Sequence, residues 1–216
     1  MNTEYVDIGL ARYSDWAFTS SVVVLVAALL LLAVELAYNR SRKAEARELV
    51  AAGTVTGDSN TPGVVADGPR RPLDERVGRA GLALVYLGIG LLVVCIVLRG
   101  WATMRAPWGN MYEFINLTCL SGLLAAAVML RRPQYRVLWV FVLVPVLILL
   151  TVSGRWLYTN AAPVMPALQS YWLPIHVSVV SIGSGVFLVA GVASILFLLK
   201  MSRLGEPDST GPLARI

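Results

Sequence analysis

Five apolar runs separated by polar or turn-rich segments set the pattern of this chain: residues 16–38, 80–98, 111–130, 137–152 and 174–200. A helix needs about 20 apolar residues to cross the hydrocarbon of a bilayer, so each run predicts a spanning helix. The fourth is the shortest and contains Pro145, which removes a backbone donor and predicts a kink. The expected fold is all-α: a polytopic membrane protein of about five transmembrane helices. The first run is too long for the apolar part of a cleavable signal. It also follows an acidic start, with Glu4, Asp7 and Asp15 against Arg12, so it is expected to persist as a helix.

Composition supports the pattern. Hydrophobic residues make up 57% of the 216 positions and charged residues 14%, where a soluble domain carries about 25% charge. The net charge of +5 raises the question of nucleic acid, but the placement of the 18 Lys and Arg answers it. Alternate segments between the runs hold 4 and 14 of them. By the positive-inside rule the N-terminus is expected outside and the C-terminus in the cytoplasm, at the plasma membrane. No nucleic-acid partner is needed; the partner is membrane lipid.

The chain then divides into an outer tail (1–15), a basic cytoplasmic loop (39–79), an outer loop (99–110), a short cytoplasmic loop (131–136), a second outer loop (153–173) and a cytoplasmic tail (201–216). Within the basic loop, "NRSRKAEARELV" has helix formers and alternating charge and is expected to prolong the first helix. The following "AAGTVTGDSNTPGVVADGPRRP" lacks hydrophobic periodicity and reads as a linker.

Four of the six tryptophans, Trp101, Trp108, Trp156 and Trp172, fall in the two outer loops, with Tyr112, Tyr158 and Tyr171 nearby. An interfacial aromatic belt accounts for such residues, yet their excess on one side also suits an aromatic platform there. In "RAPWGNMYEF" (105–114), Asn110 followed by Glu113 has the spacing of a capping box and predicts a helix start. Glu35, about a turn from the inner end of the first run, is expected to pair with Arg40 or Lys43.

His176 is the only histidine. It follows Pro174 by two residues, in the expected first turn of the fifth helix at the outer face. Neutral imidazole is an axial ligand for haem iron; an interfacial histidine bonded to backbone or water is the plainer alternative. Helical spacing places Val180, Gly183 and Phe187 beneath it, while Ser178, Ser181 and Gly185 form a second stripe suited to close helix packing. Arg99, Arg105 and Arg155 are the cations of the outer loops, available to an anionic ligand or simply solvated. Cys95 and Cys119 lie in different runs and read as buried free thiols. With one His, no C-x-x-C, no C-x-x-C-H and no phosphate loop, a zinc tetrad, thiol–disulfide exchange, a c-type cytochrome and nucleotide binding find no support. No catalytic residue is assigned.

"PWGNMYEF" (107–114) and "LQSYWLPIHVSV" (168–179), in this order and topology, resemble the CcsA/ResC-type cytochrome c biogenesis proteins of system II, in the variant called CcsB. The basic Gly/Pro-rich first loop is similar to that of actinobacterial members. The resemblance implies a membrane component of c-type cytochrome maturation that carries b-type, non-covalently held haem in transit to the outer face. There haem is attached to apocytochrome c with a ResB-type partner, so the chain would be at most part of a haem-lyase complex. It further implies His176 as one of two external haem ligands, with Trp108, Tyr112, Trp172, Arg99, Arg105 and Arg155 in the haem surroundings. The family's tryptophan-rich W-G-x-x-W-x-W-D segment and second external histidine have no counterpart here, so the chain is expected to correspond to the N-terminal part of such a protein. A membrane scaffold subunit that never holds haem is the competing class.

Overall fold

The computed structural model describes residues 7–51, 72–104, 106, 109–132, 135–160 and 172–202, without the side chains of 39–40, 42–51, 72–75, 200 and 202. Among the described residues there are five helices and no strand: α1 (Ile8–Ala51), α2 (Pro72–Ala102), α3 (Met111–Met129), α4 (Leu138–Trp156) and α5 (Trp172–Ser202). All five are long and apolar enough to cross a membrane, so the expected all-α polytopic fold holds. The 19 residues of α3 and of α4 rise about 28 Å, close to the thickness of a bilayer's hydrocarbon. α1, with 44 residues, is about 66 Å long and continues well past its apolar run. α4 passes through Pro145 without interruption.

Caps fix where the helices begin. Asp7 Oδ1 accepts the Gly9 and Leu10 N–H groups at 2.9 and 3.2 Å, and the Asp7 N–H bonds to Ala102 O at 3.0 Å, tying the start of α1 to the end of α2. At α3, Asn110 Oδ1 accepts the Glu113 N–H at 2.9 Å, as its spacing predicts. The reciprocal half of the capping box differs. Glu113 Oε2 accepts from the Gly109 N–H at 2.8 Å, because its other oxygen is held by an arginine described below.

Lipid removes the hydrophobic drive that joins helices in water, so close backbone approach and interhelical hydrogen bonds must do that work. α1 and α2 form the most extensive pair, an antiparallel hairpin. Its buried positions recur at spacings of three and four: Ser14, Ser21, Leu25, Ala28, Leu32 and Glu35 face Gly78, Gly81, Val85, Gly88, Leu92, Cys95 and Arg99. Glycine sets the approach. A Cβ on Gly88 would lie 2.6 Å from Leu25 Cγ, and one on Gly78 would lie 2.4 Å from the Glu35 carboxylate. Ser21 Oγ adds a hydrogen bond to Gly88 O at 2.8 Å.

α4 packs on α1 and α3, closing a core of Leu25, Leu92, Leu123, Trp139, Leu143 and Leu150. α5 seats chiefly on α3. A Cβ on Gly185 would fall 2.5 Å from Gly122 N, and Ser121 Oγ donates to Ser181 O at 3.0 Å. The small-residue stripe containing Ser181 and Gly185 is therefore the packing face. The rest of α5 is open: 17% of its membrane window is buried, against 50% for α3.

The start of α1, end of α2, start of α3, end of α4 and start of α5 share one end of the bundle. At the other end Glu35 meets Arg136, with Nη2 to Oε1 2.5 Å. The sequence also offers Arg40 and Lys43 as partners of Glu35. A partner arrives from the start of α4 across the bundle, while the side chains of Arg40 and Lys43 lie outside the described residues.

Candidate functional site

Two groups of chemistry-bearing side chains occupy the shared end. The first centres on Arg99, in the last turn of α2. Its side chain is 2% exposed, and its nitrogens serve three separate chain segments. Nε donates to Glu113 Oε1 at 3.0 Å, Nη1 donates to Asp15 Oδ1 at 3.3 Å, and Nη2 donates to the backbone carbonyl of Thr159. The guanidinium carbon lies 4.6 Å from the centre of the Tyr112 ring and 5.7 Å from that of Tyr158. Tyr112 is fully buried and packs edge-on against both Phe18 and Tyr158.

A buried cation is costly unless its donors are satisfied, and here the neighbours satisfy them from α1, α3 and the chain beyond α4. Tyr158 OH donates to Asp15 Oδ2 at 2.6 Å, so both carboxylate oxygens of Asp15 are used. The Tyr158 phenol is pushed above its usual pKa, first by burial and then by the adjacent Asp15 carboxylate that accepts its proton. Deeper in the bundle the same corner stays polar. Ser14 Oγ and Cys95 Sγ are 3.6 Å apart, and Ser153 Oγ lies 3.3 Å from Tyr112 O and 3.2 Å from Asn116 Oδ1.

The second group is the first turn of α5. His176 is exposed, and its imidazole makes no hydrogen bond or ion pair with another described residue. Val180 and Phe187, on the same helix face, are 39% and 77% exposed. A Cβ placed on Gly183 would meet no atom of the described residues within 4 Å, so among them nothing covers this apolar position below the imidazole. Trp172 is exposed one turn before His176, and Arg155 is exposed in the last turn of α4.

The sequence-derived candidates thus separate. His176, Trp172 and Arg155 are accessible. Arg99 and Tyr112 are interior, so Arg99 is not a solvated cation. Arg105 and Trp108 lie outside the described residues. Asp15 and Tyr158 join the site only through the fold, although a lone Arg closing one apolar run, with Asp15 opening another and Glu113 beginning a third, is a usable sign in the sequence. Cys95 and Cys119 are buried free thiols, as expected. No group of three or more His, Cys, Asp or Glu that could hold a metal ion occurs among the described residues.

Residues 108–213 match the family model described as cytochrome C assembly protein. A cytochrome c biogenesis protein CcsA of Gloeobacter violaceus is 31% identical over 146 residues. Its matched segment resembles the cytochrome c assembly protein family. That alignment covers 66% of this chain and 42% of the relative, so the chain spans less than half of the relative's length. No solved structure matches. The family segment contains Glu113, Arg155, Trp172 and His176, whereas Asp15 and Arg99 precede it. The buried cluster therefore joins the matched segment to the α1–α2 hairpin.

Proposed function

We propose that this protein serves c-type cytochrome maturation by holding haem at the outer face of the plasma membrane, for attachment to apocytochrome c alongside a ResB-type partner. The observation that carries the reading is His176: the chain's one imidazole, exposed in the first turn of α5 within the family segment. The positive-inside distribution of Lys and Arg favours placing that end of the bundle outside.

The residues present fit one side of a haem. An imidazole not engaged by another described side chain provides an axial nitrogen. Below it, Val180, Gly183 and Phe187 offer an apolar, unobstructed face to a flat ring. Trp172 suits contact with the ring, and Arg155 suits a propionate carboxylate, which a guanidinium matches with its forked donors. Arg105 and Trp108 are assigned to the same surroundings from sequence. Haem brings the reactive vinyl groups; this chain's residues bind and orient it. No residue here is assigned to bond making, and a second axial ligand would come from outside the described residues.

The test is optical. Full-length protein in detergent, titrated with hemin, is expected to give the absorption of a histidine-ligated haem, and His176→Ala is expected to remove it. An unchanged spectrum in His176→Ala would eliminate His176 as a ligand and favour a scaffold role.

A further inference from the structure

Arg99 is the other concentration of chemistry at this end, and its geometry argues against ligand contact. Each of its three nitrogens has a protein acceptor, both flanking rings belong to the protein, and 2% of the side chain is exposed. A haem carboxylate would have to displace Glu113 or Asp15 to reach it. We propose that Arg99 is a positioning residue, a latch that fixes α3 and the start of the α4–α5 connection and so sets the place of His176. The proposal rests on the reading of His176 as a haem ligand for its functional consequence, though not for its geometry.

The connection runs along two routes. Through Glu113, Arg99 holds the first turn of α3, and α3 carries α5 on the Ser121–Ser181 hydrogen bond and the Gly122–Gly185 contact. Ser181 is five residues, about 7.5 Å of helix rise, below His176. Through Thr159 O and the Tyr158 ring, Arg99 also holds the chain as it leaves α4. Asp15 completes the latch from α1 and orients Tyr158 by accepting its hydroxyl. A planar guanidinium can serve three acceptors lying in different directions, whereas a lysine ammonium is a point charge on a flexible stem. The latch thus predicts that charge alone does not rescue.

The test uses the full chain with Asn160→Cys and Ile175→Cys carrying spin labels, the native Cys95 and Cys119 being buried. The distance between labels is read by double electron–electron resonance without haem, and hemin affinity is read separately. In the Arg99-intact protein the distance distribution should be narrow. Arg99→Lys and Arg99→Gln should broaden or shift it and lower hemin affinity about tenfold, the scale of coupling between interacting groups. Asp15→Asn, which removes only the partly exposed partner, should move both readouts the same way by less, and it keeps the test open where Arg99 variants fail to fold. Arg99→Lys behaving as wild type in both readouts would overturn the latch. So would lost affinity at an unchanged distance, which would mean direct contact with haem. A changed distance at unchanged affinity would overturn the link to His176. Where His176→Ala leaves the hemin spectrum unchanged, the haem reading fails, and the distance measurement alone decides the latch.

Discussion

The Arg99 cluster and the His176 face lie at the same end of the bundle and treat polar chemistry in opposite ways. Arg99 is enclosed by two carboxylates, a carbonyl and two aromatic rings, with every nitrogen used. His176 stands exposed on a helix whose outward face includes a glycine with open space above it. In a low-dielectric setting, a saturated buried charge holds helices together, and removing one partner leaves the others stranded. An exposed imidazole adds little to the fold and stays available to a ligand. The most strongly charged group at this end is therefore the enclosed one, and the uncharged, exposed imidazole is the binding candidate.

Breaking the enclosed side should have the largest effect. Arg99→Ala takes the cation away from Glu113 and Asp15 and is expected to cost about 3–5 kcal/mol, the range for removing one member of a buried ion pair, read as a lower thermal midpoint in detergent. Gly185→Leu attacks the seat of α5, since even a Cβ there meets Gly122 N at 2.5 Å and Thr118 O at 2.6 Å. Overpacking of this kind is expected to cost about 1–3 kcal/mol and to release α5 from α3, so hemin binding should fall with stability. His176→Ala should separate the two sides most cleanly, with stability unchanged within about 0.5 kcal/mol and the haem spectrum lost.

The smallest effect concerns pH. The Tyr158 phenol is held above its ordinary value by burial and by Asp15, so the folded protein keeps a proton that the unfolded chain releases. Its contribution is complete below the ordinary phenol value of about 10 and is lost as pH rises from there through the raised value. Tyr158→Phe should flatten that alkaline decline in a pH series of melting curves.

The five helices were legible because length and apolarity alone decide what can cross a bilayer. The roles of two α5 stripes were legible too. Ser181 and Gly185 face α3, and Gly183 and Phe187 face outward, because a helix's period fixes which residues share a side. The Asn110 cap could be read from spacing. What escaped was every pairing that depends on tertiary approach. Glu35 meets Arg136 from the start of α4, a partner far away in sequence, where Gly78 also lets α2 pass close to the carboxylate. Arg99 read as an outer-loop cation because it closes an apolar run. The run in fact continues as helix to Ala102, so Arg99 falls inside the bundle, where Glu113 and Asp15 converge on it.

The central claim, that His176 ligates haem through its imidazole, is tested most directly by chemical rescue. Full-length His176→Gly is loaded with hemin, and resonance Raman and absorption spectra are recorded with and without free imidazole. Loss of the histidine-ligated signature in the variant and its return on adding imidazole is the expected result. A wild-type spectrum in His176→Gly before any imidazole is added would contradict the claim.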